Sequence, residues 1–111
     1  MYNCIDNGGS AKLKRVTIKN NRAGHTAGIG NGGTMTIEDS TISNNIAVGP
    51  EGCGGIYNGN IIFIYGSTIT NNTGGGIFNT KREQTKLYID DFTIISGNNP
   101  YNFEGKPFIP A

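Results

Sequence analysis

Two pairs of neighbouring carboxylates are the residues of this 111-residue chain that could do acid–base chemistry. Glu38–Asp39 and Asp90–Asp91 fall at equivalent positions of two sequence repeats with one further repeat between them, so stacked repeats would place them about 10 Å apart. Inverting glycoside hydrolases hold their carboxyl groups roughly 6.5–9.5 Å apart, and a polysaccharide-degrading enzyme is therefore one interpretation. The alternative is an exposed stack of charges, because Lys14–Arg15 lies one repeat below Glu38–Asp39 and such surface pairs contribute little.

Aromatic side chains could bind a sugar ring or a partner protein by stacking. Tyr57 and Phe78 share one position of the third and fourth repeats. Phe63 and Tyr88 share another, and Tyr65 follows two residues after Phe63. Alternation along a strand places all of them on the outer face, where we expect each pair to stack. These residues are the predicted ligand-binding set, unless the C-terminal tail covers them.

The histidine and the two cysteines are predicted to have no chemical role. His25 lies in a predicted loop, Arg22–Ala27, where a solvated side chain is a simpler interpretation than a catalytic base. Cys4 and Cys53 are about two repeats, or roughly 10 Å, apart, whereas a disulfide needs Cα atoms within about 7 Å, so we expect free thiols. Two cysteines and one histidine form no zinc-binding pattern. We therefore predict no metal and no cofactor.

A repeated sequence positions all of these residues. Residues 29–45, IGNGGTMTIEDSTISNN, and 56–72, IYNGNIIFIYGSTITNN, align without a gap. Residues 5–21 fit the same template, and residues 77–99 fit once four residues around Lys81–Thr85 are treated as an insertion. Short repeats rich in Ile, Thr, Gly and Asn are typical of the coils of a solenoid.

Apolar residues recur inside each repeat, with Ile42, Ile69 and Ile94 at one shared inward position. They alternate with polar residues, as in Ile62 and Ile64. This period of two predicts half-buried strands, and no stretch shows the 3.6-residue period of a helix. Strands in successive coils would pair in parallel, and strand crossovers are right-handed. The predicted fold is therefore all-β, a right-handed, single-stranded parallel β-helix of about four coils with three short strands per coil.

Columns of identical residues support this stacking. Asparagine amides at one position of every repeat can hydrogen-bond from coil to coil, and asparagine also tolerates the left-handed backbone of a corner. A column of threonines is predicted to face outward, and such a column suggests ice binding as a second alternative function. The predicted columns are Asn7, Asn31, Asn58 and Asn79; Asn21, Asn45 and Asn72 beside Asn20, Asn44 and Asn71; and Thr17, Thr41, Thr68 and Thr93.

The division predicted for the chain is coils over residues 1–98 and a capping tail over residues 99–111. The tail contains three prolines, which should prevent it from continuing the coil. Phe92 is expected to point inward and plug the end of the cylinder, with Tyr101, Phe103 and Phe108 folded over it, so that the open strand edges are covered.

Composition excludes some partners. The net charge is +1 and 15% of residues are charged, which gives no electrostatic basis for binding nucleic acid or an anionic membrane. The sequence has neither an apolar run long enough for a transmembrane segment nor an export signal. Because a repeat begins almost at Met1, we expect the chain to be a piece of a larger protein. We also expect that its first coil can associate end to end with another copy of the chain.

Three motifs carry a family resemblance: GGIYN at 54–58, GGIFN at 75–79 and the STIxNN segments. They resemble the right-handed β-helix repeats of bacterial surface proteins, such as polymorphic outer-membrane proteins and large secreted β-helix proteins. The resemblance implies a secreted or cell-surface location and a structural or adhesin-like role, with a glycan or another surface protein as partner. Pectin-lyase-like enzymes share the fold, but residues 24–26 read GHT where polygalacturonases have GHG.

Overall fold

A computed structural model describes residues 5–49 and 52–111, which contain sixteen short strands and no helix. The strands are β1 (Ile5–Asn7), β2 (Ser10–Lys14), β3 (Thr17–Lys19), β4 (Arg22–Ala23), β5 (Ile29–Asn31), β6 (Thr34–Glu38), β7 (Thr41–Ser43), β8 (Ile46–Ala47), β9 (Ile56–Asn58), β10 (Ile61–Tyr65), β11 (Thr68–Thr70), β12 (Ile77–Asn79), β13 (Lys86–Ile89), β14 (Ile94–Ser96), β15 (Phe103–Gly105) and β16 (Ile109–Pro110).

The strands form three long sheets that run along the axis of a coil. The first sheet has the order β1-β5-β9-β12-β15, the second β2-β6-β10-β13-β16 and the third β3-β7-β11-β14, while β4 and β8 form a small fourth sheet. Every pair is parallel, and each strand pairs with its equivalent in the next coil. The predicted all-β parallel β-helix of about four coils with three short strands per coil is confirmed, and its right-handed sense stays a prediction.

The interior is filled by columns of isoleucine. Ile29, Ile56 and Ile77 stack in the first sheet, and all three are fully buried. The second and third sheets add further columns, which include Ile37 over Ile64 and Ile42 over Ile69. In an isolated coil these side chains would be exposed to solvent above and below. Each coil therefore depends on its neighbours for burial of its core residues.

Two asparagine ladders run through the coils, as predicted. In the first, Asn7 Nδ2 donates to Asn31 Oδ1 at 3.0 Å, and the same bond repeats upward through Asn58 to Asn79. In the second, Asn45 Nδ2 donates to Asn72 Oδ1 at 3.0 Å. The corner residues next to this ladder have positive φ. They are Asn20, Asn44 and Asn71 at 60°, 55° and 57°, followed by Gly97 at 67°.

The inserted loop of the fourth coil lies where the sequence predicted it. Four residues lie between Ile56 and Ile61, whereas eight lie between their partners Ile77 and Lys86, so four residues are extra. Lys106 holds this loop, because its Nζ donates to the carbonyl oxygens of Thr85 at 2.8 Å and Arg82 at 3.1 Å.

The next corner of the fourth coil differs from the prediction. Ile95, not Ile94, pairs with Ile69, because the corner between Ile89 and Ile95 has one residue more than the corner between Ile64 and Ile69. Thr93 therefore points to the serine column, where its Oγ1 accepts from the Ser67 amide, and Ile94 takes the fourth place in the threonine column.

Phe92 does not plug the cylinder, since its side chain is 81% exposed, and that expectation was wrong. The idea that residues beyond 99 cannot continue the coil was also wrong. Strand β15 pairs with β12 and β16 pairs with β13, so the tail adds strands to the first two sheets and covers their edges. Its prolines are tolerated because they lie outside β15 and, in β16, at the outermost edge of the second sheet.

Candidate glycan-binding groove

The outer face of the first sheet carries a column of five residues, one from each of its five strands. Strand register places Asp6 beside Gly30, Gly30 beside Tyr57, Tyr57 beside Phe78 and Phe78 beside Glu104. Neighbouring strands are roughly 4.8 Å apart, so the column is about 19 Å long. Two aromatic rings thus occupy its middle and an acidic side chain stands at each end.

The aromatic rings of this column form a stack. The centroids of Tyr57 and Phe78 are 5.4 Å apart with an interplanar angle of 22°. The exposed His25 makes an edge contact with Tyr57, with centroids 5.2 Å apart at 63°, and its Nδ1 lies 2.8 Å from Thr26 Oγ1. The sequence prediction that Tyr57 and Phe78 stack is confirmed.

A groove follows the column. Three adjoining cavities of about 610, 550 and 480 Å³ all have Tyr57 in their lining. His25 and Tyr101 border the groove on one side, and Arg82 from the inserted loop borders it on the other. Aromatic rings with a few polar groups around them are the usual composition of a site for small organic ligands.

The walls of the groove are fixed by contacts within the coil. Lys106 anchors the loop that carries Arg82, and the Thr80 and Thr85 hydroxyls lie 2.6 Å apart at its base. On the other side the Cys53 amide donates to the His25 carbonyl at 2.7 Å. The groove is therefore bordered by backbone that the coils hold in place.

Behind this groove lies a buried thiol. Cys53 Sγ donates to the Ile56 carbonyl at 3.0 Å, and burial raises the pKa of the Cys53 thiol to about 11. Burial also raises the pKa of the Tyr101 hydroxyl above its usual range, and the nearby Cys53 and Glu104 side chains add to that effect. Both groups are therefore protonated at neutral pH. Cys4, the other cysteine of the chain, lies outside the described residues.

These shifts predict alkaline sensitivity. A thiol whose pKa is about 11 when folded and 9.0 as an unperturbed group stabilises the fold below pH 9, and this contribution is lost as the pH rises from 9 to 11. The loss should reach about 2 to 3 kcal/mol, measured by urea unfolding at each pH. In Cys53→Ala the decline across this window should be smaller by that amount, and an unchanged decline would contradict the assignment.

The remaining predicted aromatic residues lie on a different face. Phe63 stacks on Tyr88 in the second sheet, with centroids 4.7 Å apart and planes within 7°, and Tyr65 is 6.5 Å from Phe63. The sequence prediction of this stack is confirmed, but the structure separates Phe63, Tyr65 and Tyr88 from the groove at Tyr57 and Phe78. The five predicted residues thus form two surfaces rather than one.

The paired carboxylates serve the corners of the coil. Glu38 Oε2 forms an ion pair with Lys12 Nζ at 3.0 Å, and Asp39 occupies a left-handed corner with φ of 49°. The Asp90 carboxylate accepts from the Gly66 amide at 3.0 Å and from Thr93 Oγ1 at 2.7 Å. Asp91, the next residue, is exposed.

The Asp90 carboxylate is held in its charged form. Slight desolvation acts to raise its pKa, but hydrogen bonds from the Thr93 hydroxyl and the Gly66 amide outweigh it, and the pKa of Asp90 lies below its ordinary value. A general acid for glycoside hydrolysis needs a raised pKa. The environment of Asp90 therefore suits a hydrogen-bond acceptor that stabilises a corner of the coil rather than a general acid.

The groove and its column contain four residues that were not predicted from the sequence: Asp6, Gly30, Arg82 and Glu104. A signal for the first two existed, because both follow the opening isoleucine of a repeat, as Tyr57 and Phe78 do. Glu104 could not be found in this way, since its strand belongs to a tail without the repeat motif. Arg82 lies in the insertion, where the repeat gives no register.

Among residues 5–49 and 52–111, no group of three or more His, Cys, Asp or Glu side chains could hold a metal ion. The same part of the chain contains no helix that is long and apolar enough to cross a membrane.

In comparisons with protein-family models, curated proteins and solved structures, nothing matches this chain.

Proposed function

We propose that this chain is a structural or adhesin-like module of a secreted or cell-surface protein, and that it binds a glycan in the groove of the first sheet. The observation that carries the proposal is the stacked pair of Tyr57 and Phe78 inside cavities of about 610 and 550 Å³. The apolar face of a sugar ring can pack on aromatic carbons, while polar groups bind its hydroxyls.

The shape of the groove favours an extended ligand. The column from Asp6 to Glu104 is about 19 Å long, which accommodates several sugar rings placed end to end. The sheet beneath it is continuous over five strands, so little backbone ordering should accompany binding. A preformed site of this kind suits a role in adhesion, because it loses less entropy on binding than a flexible loop does.

The test is a glycan array followed by calorimetry with a matched pair of variants. Tyr57→Ala should weaken binding of any glycan identified on the array by about tenfold or more, which is about 1.4 kcal/mol. Tyr88→Ala removes an equally stacked ring from the second sheet and should leave affinity within about twofold. Equal losses in the two variants, or no bound glycan at all, would contradict the proposal.

A further inference from the structure

The notch beneath Tyr57 exists because strand β5 has a glycine at its centre. Gly30 lies between Asp6 and Tyr57 in the column, and without a side chain it leaves a cavity of about 480 Å³ against the Tyr57 ring. Phe78 covers the opposite side of this ring. The notch therefore exposes the Tyr57 ring on the side that Phe78 does not cover.

The fold does not require a glycine at this position. A Cβ on Gly30 would lie 3.5 Å from Asp6 Oδ1 and 3.7 Å from Thr26 Cγ2, which are ordinary contacts, and its φ is not in the left-handed region. Glycine in a strand interior is also unfavourable, since it has no side chain to pack. Neither backbone conformation nor packing accounts for Gly30, whereas an open notch does.

The charges around the notch are balanced. The Asp6 carboxylate and the Arg82 guanidinium both line it, together with the imidazole of His25. Neither Asp6 nor Arg82 forms an ion pair within residues 5–49 and 52–111, so both can bind a ligand. Because these two charges are opposite, the pair as a whole favours neither a cationic nor an anionic ligand, whereas neutral hydroxyl groups can donate to the carboxylate and accept from the guanidinium.

From this geometry we infer that the notch at Gly30 is a subsite for one neutral pyranose unit of the bound glycan. Its apolar face packs against Tyr57, and its hydroxyls bind Asp6 and Arg82. The inference rests on the proposed glycan-binding function and adds to it the ligand class and the residue that makes room for the ligand.

A larger side chain at position 30 should fill the notch without disturbing the coil. Gly30→Thr should lower affinity for a neutral hexasaccharide about tenfold or more, measured by calorimetry with cellohexaose and mannohexaose, and its melting temperature should equal or exceed that of the wild type. Gly30→Ala, which adds only the Cβ, should give a smaller loss. The matched control is Gly8→Thr, at an exposed glycine with no heavy atom within 4 Å of its added Cβ, and it should bind as the wild type does.

The polar contacts are tested in the same assay. Asp6→Asn and Arg82→Gln should each reduce binding of the neutral hexasaccharide. Wild-type binding to hexagalacturonate or choline but not to the neutral sugars would overturn this inference, and so would full affinity in Gly30→Thr. If hexagalacturonate binding were lost in Tyr57→Ala, the proposed function would stand while the neutral subsite fell. Absence of binding to every glycan would overturn both.

Discussion

Replacing Gly55 by alanine is expected to lower the free energy of unfolding by about 4 kcal/mol, or to prevent folding altogether. A Cβ on Gly55 would overlap the Gly76 carbonyl oxygen and lie 3.0 Å from the Gly76 carbonyl carbon. That oxygen accepts the Ile56 amide at 2.8 Å. The two coils would therefore have to separate and lose hydrogen bonds along the first sheet, and urea unfolding monitored by circular dichroism measures the loss.

Gly30→Ala is the control for this experiment, because Gly30 lies in the strand that pairs with the segment after Gly55 and has room for a Cβ. It should change the free energy of unfolding by less than about 1 kcal/mol. Similar effects at the two positions would show that the Gly76 backbone does not pack closely against Gly55.

Replacing Asn45 by alanine is expected to cost about 4 kcal/mol of stability. Asn45 is fully buried. Its Oδ1 accepts from the backbone and side-chain nitrogens of Asn21, both at 3.1 Å, and its Nδ2 donates to Ile18 and Asn72. The variant would leave these buried partners without a hydrogen bond, which is more costly than the net value of the bonds themselves.

Asn44→Gly is the matched control. Asn44 is exposed, and its φ of 55° is one that glycine adopts freely. Its substitution should leave the urea midpoint nearly unchanged. If Asn45→Ala were as stable as Asn44→Gly, the ladder would not be a source of stability.

The coil could be predicted from sequence because the repeat is nearly exact where the backbone is most constrained. Asn31 and Asn58 keep the same position in their repeats, since a ladder works only when the amides are in register. Ile29 and Ile56 keep theirs because each must fill the same cross-section of the core. Repetition therefore reports on stacking directly, whatever the intrinsic strand propensity of the residues.

The errors arose where the repeat ends. Sequence alignment placed Ile94 over Ile69, but Asp90 and Thr93 close a corner with one residue more, and hydrophobicity alone does not distinguish Ile94 from Ile95. The tail lacks the repeat motif, and its prolines suggested a cap. Its strands nevertheless pair with β12 and β13, because unpaired edges of a sheet accept any extended segment with free backbone groups.

The candidate groove was only partly visible in the sequence. Tyr57 and Phe78 could be placed on an outer face and paired by the repeat, but the sequence did not reveal that they face a different side of the coil from Phe63 and Tyr88. The sides of the groove come from two loops and from the tail, whose positions depend on contacts such as that of Lys106 with Thr85. Such contacts follow from the folded coil and leave no periodic signal.

Glycan binding in the groove at Tyr57 can be mapped directly by two-dimensional ¹H–¹⁵N NMR during titration of a glycan that the array identifies. Amide chemical shifts should change in β5, β9 and β12 and in the loops around His25 and Arg82, while those of β10 and β13 on the second sheet should not change. Shift changes concentrated around Phe63 and Tyr88, with the amides around Tyr57 unaffected, would contradict binding in this groove.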